Sequence, residues 1–106
     1  MGVIRHHAMI ITGYDMEDMK ATRRFAELCN LDPSPIMESH SNGYLTFFIP
    51  PDGSKEGWER SQEGDEERER FKKFLRKRRV EDWVELAYGG DMEVPIIEDD
   101  YSKNGD

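Results

Sequence analysis

The pair Asn42-Gly43 lies between two strand-like runs and constrains this chain more than any other two residues. A two-residue hairpin turn holds both central residues at positive φ, which Asn tolerates and Gly adopts freely, so the pair ties its flanking strands into an antiparallel ribbon. The consequence is topological. Without the hairpin the elements would run strand, helix, strand, helix, strand; with it they run βαββαβ, the split βαβ or ferredoxin-like two-layer sandwich of the α+β class.

The rest of the chain fits that order. Residues 3–12 carry the apolar run Ala8-Met9-Ile10-Ile11 and read as the first strand. Asp15 can cap a helix through its carboxylate, with Glu17 and Asp18 in the first turn, where the helix dipole favours negative charge. This helix is expected to reach about residue 30, with Ala21, Phe25 and Leu28 as its inner stripe and Thr22, Ala26 and Cys29 beside it. Leu31-Asp32-Pro33 ends it, because proline disfavours helix at the preceding residue. A second helix is expected from Ser61 or Asp65 to Arg79, acidic at its start and basic at its end, with Phe71, Phe74 and Leu75 facing inward. Residues 82–88 alternate as Trp83, Glu85, Ala87 against Val84, Leu86, Tyr88, the pattern of a strand, and Gly89-Gly90 stops it. Residues 92–97 can add an edge strand. From 98 to 106, four acids against one lysine read as a disordered tail, which leaves one domain over residues 1–97.

Composition narrows the function classes. A chain of 106 residues supports one core, and a net charge of −8 argues against an extended nucleic acid as partner, because phosphate contacts need a basic surface. The single cysteine, Cys29, has no second thiol for a disulfide or a zinc cluster, as in a reducing cytoplasm. No apolar run approaches the roughly 18 residues of a membrane span, and no secretion-signal core is visible, so no membrane is expected and the location reads as cytoplasmic.

Two segments carry candidate chemistry. His6 and His7 are adjacent on a strand and point to opposite sides of it, so they cannot act as a pair or converge on a metal, and no metal or cofactor is implied. One of them, with His40 of the hairpin, supplies the two proton-transfer groups that a phosphodiesterase would need. Residues 52–61 hold more independent features. Gly53 and Gly57 let backbone N–H groups approach an anion, Ser54 and Ser61 add hydroxyls, and Lys55 and Arg60 add positive charge near a helix start. Trp58 can stack on a base, as Tyr44 can from the strand after the hairpin. Tyr44 and Phe48 share the strand face that helices do not cover, where a ligand or a second copy of the chain can bury them.

In Arg5-His6-His7-Ala8, in the runs 42–48 and 51–58, and in Asp82-Trp83-Val84-Glu85, the chain looks like small proteins encoded by bacteriophages. That resemblance implies a small homo-oligomer made during infection and, by analogy, one that targets a nucleotide immune signal of the host. Three functions follow. The first is an anti-defence protein that binds and sequesters a nucleotide-type signal with Arg5, His7, Tyr44, Ser54, Lys55, Trp58, Arg60 and Ser61, as a homodimer or higher homo-oligomer. The second is a phosphodiesterase that cleaves the signal with His6, His7 and His40. The third is an acidic inhibitor or adaptor that binds a basic protein.

Overall fold

The computed structural model describes residues 5–54, 58–90 and 92–104. Their elements are β1 (His6–Gly13), α1 (Met16–Leu28), β2 (Met37–Glu38), β3 (Leu45–Ile49), α2 (Glu59–Lys77), β4 (Trp83–Tyr88) and β5 (Ile96–Asp100), followed by a 3₁₀ turn at Tyr101–Asn104. The strands form one five-stranded antiparallel sheet in the order β2-β3-β1-β4-β5. Both helices pack on one side of it, so the chain is an α+β two-layer sandwich.

Strand alternation decides what the helices cover. Met9 and Ile11 of β1, Leu45, Phe47 and Ile49 of β3, and Trp83 of β4 point inward and form one core with Met19, Ala26, Phe71 and Leu75 from the helices. The two helices meet through Phe25 and Phe74, whose rings stack at 4.0 Å. Asn42 and Gly43 both sit in the left-handed region, at φ 64° and 67°, and the antiparallel hairpin is present, but the Ser39 N–H donates to the Tyr44 carbonyl at 2.8 Å, so the pair closes a four-residue loop over 40–43 rather than a two-residue turn.

The Asp15 cap is present, its Oδ1 accepting from the backbone N–H groups of Glu17 and Asp18 at 3.0 and 3.2 Å. The inner stripe of α1 is rotated from the expected one. Met19, Thr22, Ala26 and Cys29 are buried, whereas Leu28 is 67% exposed. One residue of phase turns a helix by about 100°, and here the phase is set by Cys29 entering the core in place of Leu28. In α2, Phe71 and Leu75 are fully buried, but Glu67, Arg68 and Lys72 are buried beside them.

The acidic end of the chain departs most from expectation. Glu98, Asp99 and Asp100 belong to β5 rather than to a tail, and the boundary expected at residue 97 falls inside that strand. The physical reason is charge compensation across the fold. The Asp99 carboxylate accepts from Arg76 at 2.9 Å and lies 3.0 Å from the Lys72 ammonium, so basic side chains of α2 neutralise the edge strand they reach.

Candidate functional site

A strand whose inward row reads Trp83, Glu85, Ala87 places a carboxylate where the core continues on either side, and Glu85 is only 3% exposed. Such a group needs partners. α2 supplies them: Arg68 Nε donates to Glu85 Oε2 at 2.9 Å and Lys72 Nζ to Oε1 at 2.7 Å. Lys72 also bonds Glu69 at 2.7 Å and Asp99 at 3.0 Å, while Arg68 pairs with Asp65 one helical turn earlier. Arg76 then bridges Asp99 and lies 5.0 Å over the Trp83 ring. The result is a buried ion network joining α2 to β4 and β5.

Beside this network opens a cavity of about 430 Å³ lined by Arg5, His7, Asp65, Glu69, Lys72, Glu85, Glu98 and Asp99. Lys72 is held by its three carboxylates. Arg5 differs: its Nε is buried and has no hydrogen-bond partner among the described residues. A guanidinium in that position is a ready receptor for an anionic oxygen, because its planar fork matches carboxylate and phosphate geometry.

The network sets its own protonation. Burial alone would lower the Lys72 ammonium, but the hydrogen bonds it donates to Glu69, Glu85 and Asp99 outweigh it and raise the pKa above its ordinary 10.5. Burial alone would raise Asp99, but Lys72 and Arg76 hold it below the ordinary 3.8. The raised lysine contributes stability that is complete below 10.5 and lost as pH climbs through its folded value; the depressed aspartate contributes stability present above 3.8 and lost as pH falls below it. Urea-unfolding midpoints are therefore expected to include a network contribution that is level across neutral pH and fails below about pH 4 and above about pH 10. An Asp99→Asn variant should lose the part of the acid-side decline that Asp99 contributes, so its stability should fall less steeply with acid than that of the wild type.

A second cavity, of about 370 Å³, adjoins the same helix and is lined by Asp32, Ile49, Pro50, Pro51, Asp52, Arg60, Gly64 and Arg68, among others. Here the fold supplies its own anion. Asp52 Oδ1 accepts from the Ser54 backbone N–H at 2.9 Å and from its hydroxyl at 2.7 Å, and Arg60 lies 3.7 Å from the Asp52 carboxylate and 3.1 Å from Glu67. Burial would raise Asp52, but Ser54, Arg60 and Arg68 hold it below the usual carboxylate range. Gly64 makes this approach possible, since a Cβ there would lie 2.7 Å from the Asp52 carboxylate. A glycine inside α2 is the local cost of seating Asp52 against the helix.

The sequence-derived candidates are thus divided among several places. Arg5 and His7 line one cavity together. Ser54 lies in the loop before α2 and Arg60 in the first turn of α2, and both are engaged by Asp52. Ser61 is buried in the first turn of α2, Trp58 stands half exposed at its N-cap, and Lys55 lies outside the described residues. Tyr44 sits at the other end of the sheet, edge to face with Tyr14 at 6.3 Å. His40 is at that far end too. Because Gly13 pairs with Leu45 at the hairpin end of β3, His7 lies roughly 20 Å along β1 from the hairpin level at about 3.3 Å per residue. His6 and His7 do not meet His40.

Sequence reasoning missed Arg68, Lys72, Glu85 and Asp99. One signal was available: a glutamate in the same row as Trp83 and Ala87, facing a helix with basic residues four apart. Among the described residues no group of three or more His, Cys, Asp or Glu is placed to hold a metal, and no helix is long and apolar enough to cross a membrane. No family model matches the chain, and neither the curated proteins nor the solved structures give a match.

Proposed function

We propose that this chain is a non-catalytic binding protein that sequesters a nucleotide-type ligand, acting as a homo-oligomer, with Arg5 as the anchor for the ligand's phosphate. The single observation that carries this reading is that Arg5 lines a cavity of about 430 Å³ while its buried Nε has no hydrogen-bond partner among the described residues, so its guanidinium is not fully engaged by the protein. A buried donor left unmade costs about 1–3 kcal/mol, so an incoming oxygen would be well rewarded there. The carboxylates around it define the rest of the ligand. Asp65, Glu69, Glu98 and Asp99 favour hydroxyl and amino donors and oppose dense negative charge. A single phosphodiester carrying ribose hydroxyls and base amino groups suits that mixture better than a triphosphate. Sequestration of such a signal is also what the likeness to phage proteins suggests, and an infected bacterial cytoplasm is the setting in which it would matter.

The fold belongs, on this reading, to the ferredoxin-like plan. Its support is the neighbour order β4-β1-β3-β2, with β5 added outside β4. The cleavage alternative draws no support from the separation of His40 from His6 and His7. A protein-binding adaptor keeps one observation in its favour, the apolar sheet face opposite the helices.

Thermal-shift measurement against cyclic dinucleotides, mononucleotides and ADP-ribose derivatives tests the ligand. At 100 times its dissociation constant a ligand adds about 2.7 kcal/mol, a rise in Tm on the order of 10 °C for a domain of this size. Arg5→Ala should retain the fold by circular dichroism and lose the shift. If no nucleotide stabilises the wild type, or if Arg5→Ala responds as the wild type does, the reading fails.

A further inference from the structure

We infer that the uncovered face of the sheet is closed by a second copy of this chain, packed face to face about a two-fold axis. The inference gives a surface to the homo-oligomer of the proposed function and rests on that part of the reading, not on its ligand.

The register assembles this face from alternate residues of the central strands. Ile10 of β1 stands between Phe48 of β3 and Val84 of β4, Ala8 stands opposite Leu86, and Ile97 of β5 lies beyond Leu86. Phe48 is 37% exposed and Ile97 53%, so side chains of core type meet solvent in a contiguous patch. Large apolar patches of this kind mark interaction sites.

Charge identifies the occupant. In a chain that is 36% charged, the outward rows of β1, β3 and β4 read His6, Ala8, Ile10, Thr12; Thr46, Phe48; and Val84, Leu86, Tyr88, without one Asp, Glu, Lys or Arg. A basic partner protein would find no counter-charge in these rows. Two copies that each carry −8 can approach closely only where neither presents charge, and the three central strands offer that place on both, while Asp100 of β5, opposite Val84, stands at its margin. A two-fold axis pairs the patch with itself, as the commonest closed oligomers do.

The area is that of a small interface. Four strands, β3, β1, β4 and β5, with at least five residues each, spaced about 4.8 Å apart at about 3.3 Å per residue, give a face of roughly 19 by 18 Å, or about 340 Å² in projection. Two such faces total about 680 Å² in projection, to which upright side chains add, which places the contact among the small, reversible interfaces. Met37, opposite Thr46 on β2, and Tyr44 widen the rim, both more than one-third exposed.

Sedimentation equilibrium tests the inference. The wild type is expected at twice the 12.4 kDa chain mass at tens of micromolar. Phe48→Lys should halve that mass with unchanged circular dichroism, whereas Leu28→Lys, on the exposed side of α1, should leave it doubled. A wild type that is monomeric at 100 µM, or a Phe48→Lys protein that remains dimeric, overturns the proposal. Should Phe48→Lys unfold, the wild type still decides it: the methyl groups of Ile10, Val84 and Leu86 must be shielded from a dissolved paramagnetic agent in the dimer and exposed on dilution. Methyl groups open to the agent in a dimeric sample would place the interface elsewhere and leave this face to another partner. Nucleotide response is read separately. A monomeric Phe48→Lys protein that still binds nucleotide leaves the ligand reading intact, and a dimer blind to nucleotides leaves this one intact.

Discussion

Replacing Glu85 with alanine is expected to lower the unfolding free energy by about 3 kcal/mol, because removing one member of a buried ion network leaves its partners uncompensated. Arg68 and Lys72 would remain almost fully buried, each having lost a hydrogen bond of 2.9 or 2.7 Å to Glu85. Their other partners soften the blow without removing it: Asp65 for Arg68, Glu69 and Asp99 for Lys72. Chemical denaturation reads the effect as a lower midpoint at an unchanged slope. The complementary experiment separates pairing from burial. Exchanging Arg68, Lys72 and Glu85 together for apolar residues of similar volume should leave stability unchanged or higher, since desolvating charges offsets much of what their pairing supplies. A loss below 1 kcal/mol in the alanine variant would mean that water relieves the stranded cations.

The second large effect is expected at Phe47→Ala, at about 3–5 kcal/mol. Phe47 is fully buried in β3, opposite Ile11 in the register, and belongs to the core that joins the sheet to both helices. Truncation removes a large apolar surface and leaves a void that a sheet residue, fixed by its hydrogen-bonded neighbours, cannot easily collapse around. Phe48 is one residue away on the other face. Its truncation should cost the folded chain far less, and the difference between the two variants, measured by thermal or urea unfolding, reports directly which side of β3 faces the helices. Equal losses would contradict the alternation.

Local signals carried much of this architecture. Asn42-Gly43 fixed the hairpin because few residue pairs accept two successive positive φ angles, and Asp15 fixed the start of α1 because few side chains cap so well. Alternation in residues 45–49 and 83–88 separated two faces, since a period of two leaves no other choice. Long-range compensation was not legible. Nothing near Asp99 announces that Lys72 and Arg76, more than twenty residues earlier, will neutralise it, so an acidic strand resembled a tail. The loop from 52 to 61 misled for a related reason. Its hydroxyls and Arg60 do gather round a carboxylate, but the carboxylate is Asp52 of the chain itself. Arg5 and His7 were recognisable as residue types and not as neighbours of α2, because only the register of β1 brings them to the ion network.

The two ends of the sheet limit how far association can go. An exposed strand edge is a template on which further strands can add without limit. Here one edge, β2, is two residues long, and the other, β5, carries Glu98, Asp99 and Asp100 and breaks register with β4 at Glu85/Leu86. Neither edge offers an incoming strand a long, uncharged row of hydrogen-bonding groups. Growth by strand addition is thereby disfavoured at both margins. Short or charged margins of this kind disfavour fibres built by strand addition.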